Sequence, residues 1–248
     1  MTELELLDYA RAQGLRLVQI GDHVPLHEFD AARLERLRLN ASSIDHPVTL
    51  EIGARGLAEA HLKHYVDLAA KLDCRLVRFV VDRGTYEPSI DEVAALVRVA
   101  LPELEAANVT LGIENHDRFP ARTLRRLVER VGSDRVGICL DTANSLGAGE
   151  GLEYVLDQLI EHTVNLHVKD FAIIRVSYAM GFVVEGRPAG EGILDVREIC
   201  ARLRKCGRCR TAVLETWTPP ESDIEATIAK ERKWANQSLA FLKPLFTP

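Results

Sequence analysis

What most constrains this chain is its alternation of short apolar strands with amphipathic helices. In the second half the strands read VTLGIENH (109–116), VGICLD (136–141), VNLHVK (164–169) and TAVLET (211–216), with helical patterns at about 121–131, 151–161 and 195–205 between them. A helix between two strands carries the chain back to the end where it started, so the strands must pair in parallel. The first half repeats the pattern, with strands at 15–22, 48–56 and 76–82 and helical stretches at 29–38 and 57–72. Three helix starts carry a hydroxyl followed three residues later by glutamate: Thr2-Glu3-Leu4-Glu5, Ser89-Ile90-Asp91-Glu92 and Ser222-Asp223-Ile224-Glu225. Such a pair satisfies two of the amide donors that a helix start leaves free. The first helix ends at Gly14 and the second of these near Ala107.

Seven strands are visible, whereas the closed form of this alternation has eight. The expected fold is α/β, a TIM-type (β/α) barrel that lacks its first strand or has an irregular one. LRLNASS (37–43) is the one alternative source of an extra strand, and the absent first strand is preferred. An open barrel edge calls for a cover, and a homodimer is the expected one. The 248 residues, 47% of them hydrophobic, suffice for one large core, and a single domain over 1–248 is expected.

Composition narrows the partners. A net charge of −6 argues against a nucleic-acid backbone, which requires clustered lysine and arginine. No apolar run reaches the length of a membrane span, and the N-terminus has no basic region followed by an apolar stretch. Five cysteines without framework spacing fit a reducing cytosol, so a cytoplasmic location is expected. Cys200, Cys206 and Cys209 cluster, but no fourth zinc ligand lies near them in sequence, and a helix end followed by a turn is the simpler reading.

Four polar side chains recur towards the ends of successive strands: Glu114, Asp141, His167 and Glu215, at spacings of 27, 26 and 48 residues. The first two spacings are one strand–helix unit each; the third implies an insertion after His167. Residues two apart on a strand share a face. Thr110, Gly112 and Glu114 share one, as do Gly137, Cys139 and Asp141, and Asn165, His167 and Lys169; the opposite faces are uniformly apolar. The polar set should therefore point into the barrel at its C-terminal mouth, where barrel enzymes do their chemistry. Three carboxylates gathered there repel one another, and a divalent cation relieves this. Carboxylate oxygens with one imidazole suit Mn²⁺ first, with Mg²⁺, Co²⁺ or Zn²⁺ as alternatives.

LGIENHD, GICLDTANS, NLHVKDF, the loop MGFVVEGRPAGEG and AVLETW resemble the sugar phosphate isomerase/epimerase group, the xylose-isomerase-like TIM barrels. VTLEIGARG and LVRFVVD are also similar to it. The resemblance implies that Glu114, Asp141, His167 and Glu215 hold one divalent metal, and that Glu114 and Glu215 are the catalytic acid/base pair. A small sugar or polyol is the substrate it implies. Proton transfer through a metal-stabilised enediolate gives isomerisation or epimerisation, the expected activity; expelling a β-hydroxyl from a keto-inositol or keto-sugar gives dehydration, the alternative. The quartet alone does not choose between them. Endonuclease IV, a nuclease of the same fold, is disfavoured because Asn144 stands where it carries a histidine and no Asp-x-His follows His167. A non-catalytic binding module is disfavoured by the presence of all four ligands.

His116, Asn144, Lys169 and Arg175 are the expected substrate contacts. Lys169 lies one layer nearer the mouth than His167, to hold a substrate oxygen or to reach solvent. Asn144 departs from the histidine common in the family, and the offset of Arg175 from His167 matches the family's arginine only approximately. Arg55 and Arg78 are candidates for an anionic substrate group, with an interior bridge from Arg78 to Glu51 or Asp82 preferred. Asp170 should turn away from the site and cap locally. Residues 171–194, rich in glycine, should form a lid or hairpin ordered by Glu191, and Trp217 should stack on a sugar or pack on the rim.

Overall fold

The structure, a computed structural model, describes every residue except Leu57, Ala179, Thr247 and Pro248. Helix α1 (Glu3–Ala12) opens on the expected reciprocal cap, in which Thr2 Oγ1 accepts from Glu5 N while the Glu5 carboxylate accepts from Thr2 N at 2.7 Å. Ser89 and Glu92 do the same for α4 (Ile90–Ala107). At α8 (Ile224–Phe246) the cap is Asp223 instead of Ser222: Ala226 N donates to Asp223 Oδ1 at 2.8 Å. The remaining helices are α2 (Ala31–Ala41), α3 (Glu59–Lys71), α5 (Ala121–Val131), α6 (Leu152–Leu159) and α7 (Val196–Cys206).

Seven parallel strands form a nearly closed barrel: β1 (Leu17–Ile20), β2 (Thr49–Arg55), β3 (Leu76–Val80), β4 (Thr110–Glu114), β5 (Val136–Asp141), β6 (Thr163–Val168) and β9 (Thr211–Leu214), in that order. The insertion after His167 is an antiparallel hairpin, β7 (Phe171–Arg175) with β8 (Phe182–Gly186). Asp170, buried and turned away from the mouth, accepts from the amides of Phe171, Gly190, Gly192 and Leu194, so this residue and not Glu191 orders the base of the insertion. Residues 37–41 continue α2, and β1 and β9 end the sheet without pairing to each other.

The apolar strand faces point outward. Leu111, Ile113, Ile138, Leu140, Leu166 and Val168 are buried under the helices and supply the main hydrophobic contact of the fold. The interior is different: Glu51, Arg78, Glu114, Asp141, Asn165 and His167 are all buried there. A barrel interior loaded with charge is costly unless the charges serve one another or a ligand.

Candidate metal and active site

The stagger of the strands decides which side chains meet. Glu114 lies opposite Cys139, Asp141 opposite His167, and His167 opposite Val213. Tilted strands carry residues of equal height at shifted ladder positions, which brings Glu215, two beyond Val213, up to the level of His167. Between Ile138 and Cys139 the β5–β6 register slips by one residue at a bulge. That slip keeps Asn165 beside Cys139, whose thiol donates to Asn165 Oδ1 at 3.1 Å, and keeps His167 beside Asp141. Gly137 makes the bulge feasible, since a Cβ there would lie 2.5 Å from Val164 Cγ1 and 2.7 Å from His162 O.

Asp141, His167 and Glu215 offer ligand atoms that all lie within 4.8 Å of one another; Glu114 joins His167 and Cys139 in a second set of the same span. Asp141 is fixed by the amides of Ala143 and Asn144, both donating to its Oδ1 at 2.8 Å. Both ring nitrogens of His167 are buried without a hydrogen-bond partner, and they converge with Asp141 Oδ2 and Glu215 Oε2, whose charge is met by the Lys169 ammonium alone among the described hydrogen-bond donors within reach. Buried polar atoms left open in this way, converging on one point, are what a divalent cation would satisfy. The donor set fits such an ion.

Lys169 supplies positive charge to the same place. Its Nζ lies 3.0 Å from Asp141 Oδ2 and 2.7 Å from Glu215 Oε2, an ion pair with each, and it donates to Asn144 Oδ1 at 3.1 Å. Burial pushes the Asp141 carboxyl up to about 6, against the pull of Lys169 and with the nearby Glu114 and Glu215 charges adding to the rise. Burial also raises Glu215, but His167 and Lys169 outweigh it and hold that carboxyl well below the ordinary range. The two acids are thereby pushed apart, a pattern that separates an acid role from an anion role.

Glu114 is hydrogen-bonded through one oxygen and faces a cation with the other. Asn144 Nδ2 donates to Oε1 at 2.7 Å, and Arg78 Nε lies 3.4 Å from Oε2. Arg78 also binds Asp22 Oδ1 at 3.1 Å, so it bridges Asp22 and Glu114 and not Glu51 or Asp82. The reason is visible at Gly53, where a Cβ would stand 3.0–3.2 Å from the guanidinium; its absence lets Arg78 lie across the barrel. Arg55 takes Asp82 instead, its Nε donating to the Asp82 carbonyl at 3.2 Å. Glu51 sits deeper, accepting from Gln19 at 3.0 Å and Asn165 at 3.3 Å.

Above the quartet a pocket of about 550 Å³ is lined by His116, Asp117, Asn144, Lys169, Glu215 and Trp217 among others. Three of the four expected substrate contacts, His116, Asn144 and Lys169, therefore meet there. Arg175 does not: it lies exposed at the far end of β7, its Nη2 2.8 Å from Met180 Sδ. Arg175 pairs with Phe182 at the open end of the hairpin, while Val184 nearer its base lines the pocket, which the offset in sequence from His167 did not reveal. Asn144 was readable only as a departure from a family histidine, yet it is the group that links Glu114, Asp141 and Lys169. Asp22 and the Arg78–Glu114 pair carried no signal in sequence, because pairing across the barrel depends on the stagger. Cys200 is buried, Cys209 half-buried and Cys206 exposed, and no metal-holding group among the described residues includes them.

A parallel barrel with an acid–imidazole cluster at its C-terminal mouth is the frame of a metal-dependent enzyme class. The chain belongs to the xylose isomerase-like TIM barrel family, whose model matches residues 7–245. It is 35% identical over 96% of its length to 3-oxo-isoapionate decarboxylase of Pectobacterium atrosepticum, covering 86% of that protein. It is 25% identical to L-ribulose-5-phosphate 3-epimerase UlaE of Salmonella paratyphi C, over 96% of this chain and 81% of that one. A xylose isomerase-like TIM barrel protein from Mycobacterium smegmatis, solved in complex with magnesium, superposes with a TM-score of 0.71 at 16% identity, covering 95% of this chain and 87% of that one.

Proposed function

We propose that this chain is a divalent-metal-dependent lyase that decarboxylates a small 3-oxo sugar acid. The observation that carries the reading is the state of Glu114, whose Oε1 accepts from Asn144 at 2.7 Å and whose charge is paired with Arg78, Nε to Oε2 at 3.4 Å. Epimerisation needs a free acid/base on each side of the substrate; decarboxylation needs a proton donor on one side only. The 35% identity to 3-oxo-isoapionate decarboxylase supports the same choice.

When bound by Asp141, His167, Glu215 and Glu114, the metal would polarise a carbonyl oxygen and stabilise negative charge that develops on it. Which ion it is, Mn²⁺ or another, belongs to the test. The chain's own groups do the rest. Lys169 Nζ, at the pocket floor, binds the substrate oxygens and neutralises the charge that forms. The bond between the carboxylate carbon and its neighbour breaks, its electron pair moves onto the carbonyl oxygen as an enolate, and carbon dioxide leaves. His116, on the pocket wall with its Nδ1 2.5 Å from Asp117 Oδ1, returns one proton to the carbon that lost the carboxylate. Trp217 closes one side of the pocket against water.

The second reading, a sugar isomerase or epimerase using Glu114 and Glu215 as its acid/base pair, keeps support from the 25% identity to the ribulose-phosphate epimerase. The Mn²⁺-loaded protein should be incubated in D₂O with 3-oxo-isoapionate and, separately, with simple ketoses and keto-inositols. Carbon dioxide release with one deuterium gained per turnover is expected from the sugar acid. Deuterium gain or inversion in a ketose with no carbon dioxide from the acid would replace the lyase reading with the epimerase; loss of water from an inositol would replace it with dehydration.

A further inference from the structure

Below the metal quartet the inward face of β5 carries a thiol. Cys139 lies two residues before Asp141, about 6–7 Å deeper in the barrel along the strand. It is fully buried, and its partner across the β4–β5 ladder is Glu114. Glu114, Cys139 and His167 offer ligand atoms that all lie within 4.8 Å of one another, the span that also contains those of Asp141, His167 and Glu215. The reaction proposed above gives Cys139 no task.

Three features make this set a seat for an ion and not a thiol packed in a core. His167 is 1% exposed, and neither of its ring nitrogens has a hydrogen-bond partner, so the imidazole is aimed at both sets and satisfied by neither. The Cys139 thiol donates to Asn165 Oδ1 at 3.1 Å, which directs its hydrogen to Asn165 and leaves the sulfur lone pairs open. Glu114 Oε1 accepts from Asn144 and Oε2 faces Arg78, and a carboxylate oxygen that accepts one hydrogen bond keeps a second lone pair. The upper set differs in holding a cation already: Lys169 Nζ stands 3.0 Å from Asp141 and 2.7 Å from Glu215, and an ion arriving there must displace it.

We infer that Glu114, Cys139 and His167 form a second, deeper seat that takes a thiophilic divalent ion, Zn²⁺ or Cd²⁺. The inference rests on the reading of Glu114 and His167 as ligands of the quartet, and on no particular reaction. Ligand softness sorts the ions: thiolate with imidazole holds Zn²⁺ or Cd²⁺, whereas the oxygen-rich set nearer the mouth suits Mn²⁺ or Mg²⁺. On binding, the S–H bond gives its proton to the buffer, and the electron pair left on sulfur forms the metal–sulfur bond. The two charges of the ion then meet two negative groups, the thiolate and Glu114, so the buried seat carries no net charge of its own. A neutral imidazole has one open lone pair, so His167 serves one ion at a time. An ion in the deep seat therefore takes His167 and Glu114 from the quartet and lies below the pocket, whose lining does not include Cys139. Zn²⁺ and Cd²⁺ act there as tight, unproductive competitors of Mn²⁺.

The test titrates Cd²⁺ into the reduced, metal-free full chain and follows the ultraviolet charge-transfer band of a cadmium thiolate. The protein carries Cys206→Ser, because the Cys206 thiol is exposed and would bind Cd²⁺ on its own. A band that saturates at one ion per chain is expected. Adding Cys139→Ser, which keeps a donor for Asn165, should abolish the band and weaken Cd²⁺ binding by about 10–100-fold or more, with Mn²⁺ affinity nearly unchanged in calorimetry. Asp141→Asn should do the reverse, weakening Mn²⁺ and keeping the band. X-ray absorption of the Zn²⁺-loaded Cys206→Ser protein should show one sulfur at about 2.3 Å beside nitrogen and oxygen, and this reads the seat even where the Cys139 variant does not fold. No band, a band that survives Cys139→Ser, a Zn²⁺ shell of nitrogen and oxygen alone, or equal loss of Mn²⁺ and Cd²⁺ in Cys139→Ser would overturn the deep seat. None of these readouts uses substrate, so failure of the decarboxylase reading leaves the seat standing; an intact band without Mn²⁺ binding would fault the quartet instead.

Discussion

Lys169 is the side chain whose removal best separates the two electrostatic states of the site. Its ammonium is ion-paired with both Asp141 and Glu215, at 3.0 and 2.7 Å. Lys169→Met should destabilise the metal-free protein by about 3–5 kcal/mol, because breaking a buried pair leaves uncompensated charge. Excess Mn²⁺ should recover most of that loss, since the ion replaces the missing cation; urea midpoints with Mn²⁺ and with EDTA give the difference. Turnover of the variant should stay at least about 100-fold down in either state, if Lys169 neutralises the charge formed in the reaction. Glu215→Gln tests the ligand role instead. It should weaken metal binding by about 10–100-fold or more in a calorimetric titration, leaving Asp141 and His167 in place. The gathering of the four was legible because a polar side chain recurs at the same place near the end of successive strands whose opposite faces are uniformly apolar. Arg78 was not legible in the same way: its partners, Asp22 and Glu114, are set by the room left at Gly53 and by the stagger between β3 and β4. No one-dimensional pattern carries either.

At the scale of elements, the β5–β6 bulge and the deep carboxylate of β2 make separate demands. Gly137→Ala places a methyl 2.5 Å from Val164 and 2.7 Å from the His162 carbonyl. The backbone of one strand must then move, at a cost of about 1–3 kcal/mol. Because the same bulge aligns Asp141 with His167, metal affinity should fall with stability, whereas a purely structural defect elsewhere would lower the melting temperature alone. Glu51 behaves differently. Burial pushes its carboxyl up, only partly offset by Thr211 and Gln19. A carboxyl raised on folding contributes most stability below its unfolded value, near 4.3, and loses it as pH climbs through the folded one. Glu51→Gln keeps an acceptor and donor for Gln19 and Asn165 without that penalty. The melting temperature of the variant relative to the parent should therefore rise from pH 4.5 to pH 8 in calorimetry; a constant difference would mean that Glu51 does not titrate. Strand and helix positions were readable because the apolar periods of 2 and 3.6 alternate cleanly along the chain. The bulge was not, since VNLHVK keeps its alternation whichever residue faces Ile138. The hairpin was legible as an insertion of unusual length, but the anchor at its base, Asp170, is a matter of four amides converging in space.

For the whole molecule, counting strands already gave seven where closure takes eight, and the seam between β1 and β9 is where the eighth would stand. What counting could not give is how the load is shared once the ring is broken. In a closed barrel each strand is restrained from both sides; here β1 and β9 are each held on one edge only, and β9 is half-buried throughout. Local opening should start at these two strands, so amides at 17–20 and 211–214 should exchange faster than those at 111–114 and 136–141. Metal binding then acts unequally on the two edges. At an ion concentration about 100 times its dissociation constant the folded state gains about 2.7 kcal/mol, and the gain goes to openings that break the site. The proposed ligands Glu114, Asp141, His167 and Glu215 come from β4, β5, β6 and the end of β9, and none of them from β1. Opening β9 pulls Glu215 from the ion, whereas opening β1 leaves every ligand in place. Adding Mn²⁺ should therefore slow exchange at 211–214 by about 10- to 100-fold and leave 17–20 nearly unchanged, measured residue by residue with and without EDTA. Equal protection of both edges would mean that they open together, as one cooperative unit joined across the seam. No protection at 211–214 would mean that Glu215 does not hold the ion.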